Sequence, residues 1–90
     1  MGESETSCFY VYVLRSLKTG RRYVGSTSDV NERLRRHNAG HSKSTKAGAP
    51  WILVYTETFS SRGEAVQREL FLKSGSGRSM LDAVVGRSVA

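Results

Sequence analysis

A chain of 90 residues is long enough for one domain with a modest core and too short for a second folding unit. A hydrophobic content of 38%, with no apolar run longer than Trp51 to Val54, argues for a globule and against a helix that crosses a bilayer. Fourteen Lys and Arg against eight Asp and Glu leave a net charge of +6, which suits a polyanionic partner as well as simple solubility.

Residues 1–7 are polar and acidic, lack the basic and apolar stretches of a secretory signal, and read as a disordered lead. Cys8 is the sole cysteine, so no internal disulfide forms and a reducing compartment is expected: the cytoplasm, close to the nucleoid in a bacterium. Phe9 to Leu14 alternates as a strand, with Tyr10 and Tyr12 on one face and Val11 and Val13 on the other. The turn-like Leu17-Lys18-Thr19-Gly20 and a second β-rich run from Arg22 to Gly25 follow. A hairpin with strands over 8–15 and 21–25 would bring Tyr12 and Tyr23 close together.

Gly25 is read as the end of the second strand, freeing the backbone for the turn into a helix and for close approach of a phosphate. Ser28 or Asp29 caps a helix over 29–38 whose apolar Val30 and Leu34 are four apart, with Gly40 as its stop. Arg33 and His37, also four apart, share one face; Arg35 and Arg36 point to other sides. Residues 39–50 are small, polar and basic and read as a mobile loop. From Arg15 to Lys46 there are nine Lys or Arg against Asp29 and Glu32, a local charge of +7.

Trp51 to Phe59 is β-branched and aromatic and forms the third strand, 51–59. Ser61-x-x-Glu64 is a capping box that opens a helix over 61–74, where Gly75-Ser76-Gly77 breaks it. Ala65, Val66, Leu70, Phe71 and Leu72 give it a broad apolar face with Glu69 beside it. A short last helix spans 79–85. The fold class is therefore α+β: a three-stranded antiparallel sheet flanked by helices, one domain over 8–86, with 87–90 as a tail.

Cutting a phosphodiester requires an activated water, charge stabilisation on the pentacoordinate phosphate and help for the leaving oxygen. Glu69 is the acid of its helix without a capping role and so the best metal ligand; one carboxylate suits a single octahedral Mg²⁺ or Mn²⁺ completed by water and phosphate. An Arg can pair with the nonbridging oxygens, and a Tyr or His can move protons. A phenol is a poor base at neutral pH unless cations favour its phenolate, a task open to Arg33 and the metal.

Tyr10-Val11-Tyr12, Tyr23-Val24-Gly25-Ser26-Thr27, Arg33-x-x-x-His37-Asn38-x-Gly40, Pro50-Trp51 and Glu64-Ala65-x-x-x-Glu69-x-x-x-Lys73 follow the order of the motifs of the GIY-YIG nuclease family, which the chain resembles over roughly residues 8 to 80. It departs from that pattern in carrying Tyr10 for the first glycine and no Asn after the Glu69 helix. The resemblance implies a metal-dependent DNA endonuclease using one metal on Glu69. Tyr12 would take the proton from water, Tyr23 would position water or phosphate, Arg33 would stabilise transition-state charge, and His37 would relay protons or hold a phosphate. Arg15, Arg22, Lys43, Lys46, Lys73 and Arg78 are the candidate DNA contacts, and the DNA is single-stranded, branched or damaged.

Each residue has a plainer reading. Glu69 can pair with Lys73 one turn on, Tyr10 can be packing, Trp51 core, and His41 incidental. Two other functions stay open: a nucleic-acid-binding module without catalysis, and a subunit of a repair or mobile-element complex, with a homo-oligomer or a protein partner. No separate targeting module is recognisable, so substrate choice would fall to the domain surface or to such a partner.

Overall fold

The computed structural model describes residues 8–86; the expected lead (1–7) and tail (87–90) lie outside the described residues. Strands β1 (Phe9–Ser16), β2 (Arg22–Thr27) and β3 (Trp51–Phe59) form one antiparallel sheet in the order β2-β1-β3, flanked by α1 (Val30–Asn38), α2 (Arg62–Lys73) and α3 (Gly75–Val85). Ser16 organises the β1–β2 turn: its hydroxyl accepts from the amides of Lys18 (3.1 Å) and Thr19 (2.9 Å), and Gly20 closes the turn at φ 79°.

Alternation along β1 sorts the core into two halves. Val11 and Val13 face α2 and α3 and pack with Val24, Ala65, Leu72 and Leu81. Tyr12 and Leu14 face α1 and pack with Trp51, Tyr23, Val30 and Leu34. All four of these β1 residues are fully buried, as expected of a central strand covered on both faces, and each aliphatic one is stabilising by roughly 1.5–3 kcal/mol. A bulge opposite Val13 and Leu14 leaves Val54 unmatched between Leu53 and Tyr55, so that Val54 and Tyr55 both lean on the aliphatic half.

The helix starts follow their caps. Asp29 accepts from the Glu32 amide (3.0 Å), and Gly40 at φ 80° stands just beyond the α1 C-cap, Ala39. Ser61 accepts from the Glu64 amide (3.2 Å), while the Glu64 carboxylate accepts from the Ser60 hydroxyl in place of the Ser61 amide.

Four local expectations are corrected. β2 does not end at Gly25 but continues to Thr27, and Gly25 does not have the positive φ of a turn. Gly75-Ser76-Gly77 is not a break between distant helices but the first turn of α3. Ser74 is both C-cap of α2 and N-cap of α3, and a Cβ on Gly77 would overlap the Phe71 carbonyl and Leu72 Cα. Val66, Leu70 and Phe71 are exposed, leaving Ala65 and Leu72 as the buried residues of α2.

The segment 39–50 is held at several points, which is the fourth correction. It contains a 3₁₀ turn (Lys46–Gly48); Thr45 and Gly48 are buried, and Ser16 Oγ donates to the Gly48 carbonyl (2.5 Å). The Trp51 indole N–H donates to the Thr45 carbonyl (2.8 Å). The Asn38 side-chain amide pairs with both backbone groups of Trp51, at 3.0 and 2.6 Å. A small, polar composition does not reveal such anchors, because each partner comes from elsewhere in the chain.

Candidate active site

The β1–β2 register sets Tyr12 opposite Gly25 and Leu14 opposite Tyr23, so both phenols lie on the α1 side of the sheet. Gly25 makes room for this: a Cβ there would stand 2.5 Å from Tyr12 Oη. The glycine serves a phenol within the protein, in place of the expected turn. From α1, His37 packs against both tyrosines, with ring centroids 6.0 Å from Tyr12 and 4.7 Å from Tyr23; the two phenol rings are 6.2 Å apart.

Hydrogen bonds tie the group together. Tyr12 Oη lies 3.1 Å from His37 Nε2, and His37 Nδ1 lies 2.7 Å from Thr45 Oγ1. Arg33, one turn before His37, lies close enough for its charge to bear on both the Tyr12 hydroxyl and His37. His37 is almost wholly buried, and burial followed by the Arg33 charge holds its pKa below the ordinary value, so the imidazole is neutral.

Tyr12 is 0% exposed, and its pKa is pushed up to about 12. Burial is the largest cause, the Tyr23 phenol and the Glu69 carboxylate push the same way, and Arg33 pulls against them. Arg33 does ease Tyr12 ionisation, as expected of it, but by less than desolvation opposes it.

Glu69 approaches from the other side. Ser26 lies opposite Val11 in the register and so faces α2; its hydroxyl donates to Glu69 Oε1 (2.7 Å), while Lys73 Nζ donates to Oε2 (2.6 Å). The Glu69 side chain is 18% exposed. The two groups lie on opposite faces of the sheet, with β2, an edge strand, between them. Tyr23, packed on His37, and Lys73, bonded to Glu69, both line one cleft of about 420 Å³, together with Arg21, Arg22, Val24, Leu72, Arg78 and Leu81.

Four of those lining residues are basic. Arg22 is already committed, its guanidinium paired with Asp82 (2.8 Å) and bonded to the Gly86 carbonyl (3.0 Å). Arg15, also expected to touch nucleic acid, donates to the Val85 and Gly86 carbonyls at the end of α3. Arg78 and Lys73 belong to the cleft, whereas Lys43 and Lys46 are exposed on the 39–50 segment, outside it. Tyr10 lines a separate groove with Asp29, Asn31 and Leu53, away from the other tyrosines.

Three residues near the site escape a reading of the sequence alone. Thr45 sits in a run of small polar residues, and its partner His37 is eight positions away across a loop. Ser26 gains its role only once β2 extends past Gly25. Arg21 is one of several arginines until the cleft singles it out.

Among the described residues no group of three or more His, Cys, Asp and Glu side chains could hold a metal ion, and no helix is long and apolar enough to cross a membrane. Glu69 alone does fit a single hard cation. It is a partly exposed carboxylate beside an open cleft, with Ser26 fixing one oxygen, and the Lys73 side chain on the other is 47% exposed.

A hairpin that stacks two tyrosines, an arginine and a histidine one turn apart, and a glutamate reaching the same edge from the opposite helix define a nuclease-type domain. The chain belongs to the GIY-YIG family, whose catalytic-domain model matches residues 8–81. It is 40% identical over 79 residues to a UPF0213 protein of Staphylococcus haemolyticus, an alignment spanning 87% of this chain and 95% of that one. The UPF0213 protein YazA of Bacillus subtilis is 37% identical over 70 residues, 77% of this chain and 70% of that one. The solution structure of a UPF0213 protein from Bacillus halodurans superposes with a TM-score of 0.52 at 35% identity, over 88% of this chain and 86% of that one.

Proposed function

We propose that this protein is a metal-dependent endonuclease that hydrolyses DNA phosphodiester bonds at the open edge of β2, on single-stranded, branched or damaged DNA. The observation that carries this reading is the shared cleft: Tyr23 and Lys73, the partner of Glu69, line one basic depression. A backbone phosphate entering it would meet the Arg21 and Arg78 guanidiniums, with release of condensed counterions as the driving term. Glu69 would hold one Mg²⁺ or Mn²⁺, which supplies a Lewis acid for the phosphate and the leaving oxygen.

The protein's own groups divide the remaining work by exposure. A phenol with a pKa of about 12 is phenolate in only about one molecule in 10⁵ at pH 7. Tyr12, sealed from solvent, therefore serves as an oriented member of the hydrogen-bond network and not as a standing base. Tyr23 is half-buried and lines the cleft, so it is the phenol that touches water or phosphate. Arg33 donates to the developing charge from a position set by Tyr12.

The test incubates purified protein with labelled single-stranded, duplex, flap and four-way DNA in Mg²⁺, Mn²⁺ or EDTA. Cleavage that EDTA abolishes is expected on at least one substrate. Binding without cleavage of any of the four would replace this reading with that of a non-catalytic nucleic-acid-binding module.

A further inference from the structure

We infer that Thr45 is a positioning residue that fixes the tautomer of His37 and, through it, the direction of the hydrogen bond between His37 and Tyr12. Its chemical consequence rests on the nuclease reading above; the tautomer itself does not. Three groups form the chain, Thr45 Oγ1 to His37 Nδ1 at 2.7 Å and His37 Nε2 to Tyr12 Oη at 3.1 Å, and the Arg33 charge bears on that same hydroxyl. Tyr12, His37 and Thr45 are at most 2% exposed, so every proton among these three must find an acceptor inside the protein.

Two arrangements of protons are available to a neutral imidazole. If Nε2 carries the proton, it donates to Tyr12 Oη, and the phenolic O–H is left with no acceptor among the described contacts. If Nδ1 carries it, His37 donates to Thr45 Oγ1, Tyr12 donates to the bare Nε2, and Thr45 turns its own O–H toward the Ser42 carbonyl at 3.5 Å. Only the second arrangement leaves no buried donor orphaned, which decides between them, since an unpaired buried donor loses its full hydration. An imidazolium would have to donate at both nitrogens while facing Arg33, and the buried site disfavours it.

Thr45 thus decides the far end of the chain. With Nδ1 bonded to Thr45, the Tyr12 proton points at His37 and the lone pairs of Tyr12 Oη are left to the field of the Arg33 charge. Without the Thr45 hydroxyl, His37 is free to change tautomer, and its Nε2–H then takes up the phenol oxygen. The Thr45 backbone is anchored independently, because its carbonyl accepts from the Trp51 indole. The isosteric Thr45→Val change therefore leaves the loop in place.

Long-range ¹H–¹⁵N spectra of the imidazole report the tautomer directly, whether or not DNA is cut. The unmutated protein and Thr45→Ser should show Nδ1–H and a bare Nε2; Thr45→Val should show a population moved to Nε2–H. On an oligonucleotide that the unmutated protein cleaves, Thr45→Val should lower kcat about tenfold or more with KM unchanged, and Thr45→Ser should restore it. Trp51 fluorescence checks that the loop has not moved. An Nε2–H tautomer in the unmutated protein overturns the inference outright, even if Thr45→Val fails to fold. So does a Thr45→Val protein that keeps both the Nδ1–H tautomer and full kcat. A protein that cuts no DNA yet shows the Nδ1–H tautomer refutes the nuclease reading and leaves the tautomer assignment standing.

Discussion

The two faces of β1 are buried to the same depth and built for different ends. Toward α2 and α3 stand Val11 and Val13, packed with Val24, Ala65, Leu72 and Leu81. Toward α1 stand Tyr12 and Leu14, and there the packing includes a buried chain of polar groups, Tyr12–His37–Thr45. The aliphatic face holds the sheet together through area removed from water. The aromatic face keeps each proton assigned to an acceptor, which stabilises less per group but specifies geometry. One strand thus carries the anchor of the fold on one face and, on the proposed reading, the seat of the chemistry on the other, and on that reading Glu69 crosses the division from the aliphatic side.

That crossing gives the largest expected effect. Glu69→Gln retains an acceptor for the Ser26 hydroxyl and removes the charge, so cleavage in Mg²⁺ should fall by about 10²-fold or more while DNA affinity holds or rises slightly. Undiminished cleavage by this variant would place the metal elsewhere and detach Glu69 from the site.

Val13→Ala tests the aliphatic face alone. Val13 is fully buried and does not line the cleft, and the change should cost about 1–3 kcal/mol in urea unfolding, with the turnover of the remaining folded protein preserved at low temperature. If turnover fell in proportion to stability under conditions where the variant stays folded, the division of labour between the faces would be wrong.

Gly25→Ala probes the aromatic face by crowding. The new methyl would meet Tyr12 Oη, so about 1–3 kcal/mol of overpacking is expected, together with a loss of cleavage larger than the stability change explains. A cleavage rate matching that of the unmutated protein would show that Tyr12 need not lie over the strand.

The smallest effect is a pH dependence. His37 is held neutral below its ordinary pKa of 6.5, so the unfolded chain binds its proton more readily than the folded one. The stability due to this group is complete above about pH 6.5 and declines as pH falls from there toward the depressed folded value. Melting temperatures should trace that decline, and His37→Gln should remove it. A flat profile between about pH 7 and about pH 5 would mean that the imidazole is not buried in the neutral form.

Most of the scaffold could be read from local signals, because alternation in Phe9–Leu14 and the caps at Asp29 and Ser61 act over a few residues. The co-location of Tyr12, Tyr23, Arg33 and His37 followed from two periodicities, the pleat and the helical turn. What escaped needed distant partners. Gly75-Ser76-Gly77 has the composition of a break and forms a helical turn because Ser74 caps it and Gly77 fits against the end of α2. The direction of the Tyr12 pKa shift is a contest between burial and a nearby cation, and a sequence contains the cation but not the burial. Thr45 shows no local pattern that would have marked it.

The shared cap at Ser74 makes α2 and α3 a corner without a hinge. Its amide N–H closes α2 onto the Phe71 carbonyl (2.9 Å), and its hydroxyl receives the Gly77 amide of α3 (3.3 Å), so no linker residue is left to flex. Lys73 and Arg78, one on each arm, are thereby held at a set separation, like the jaws of a fixed gauge. Adjustment of the cleft to the width of a substrate must come from the opposite wall, where Arg21 follows the exposed Leu17–Thr19 turn. Stiffening that turn would change which strand shapes are admitted before it changed how fast any of them is cut.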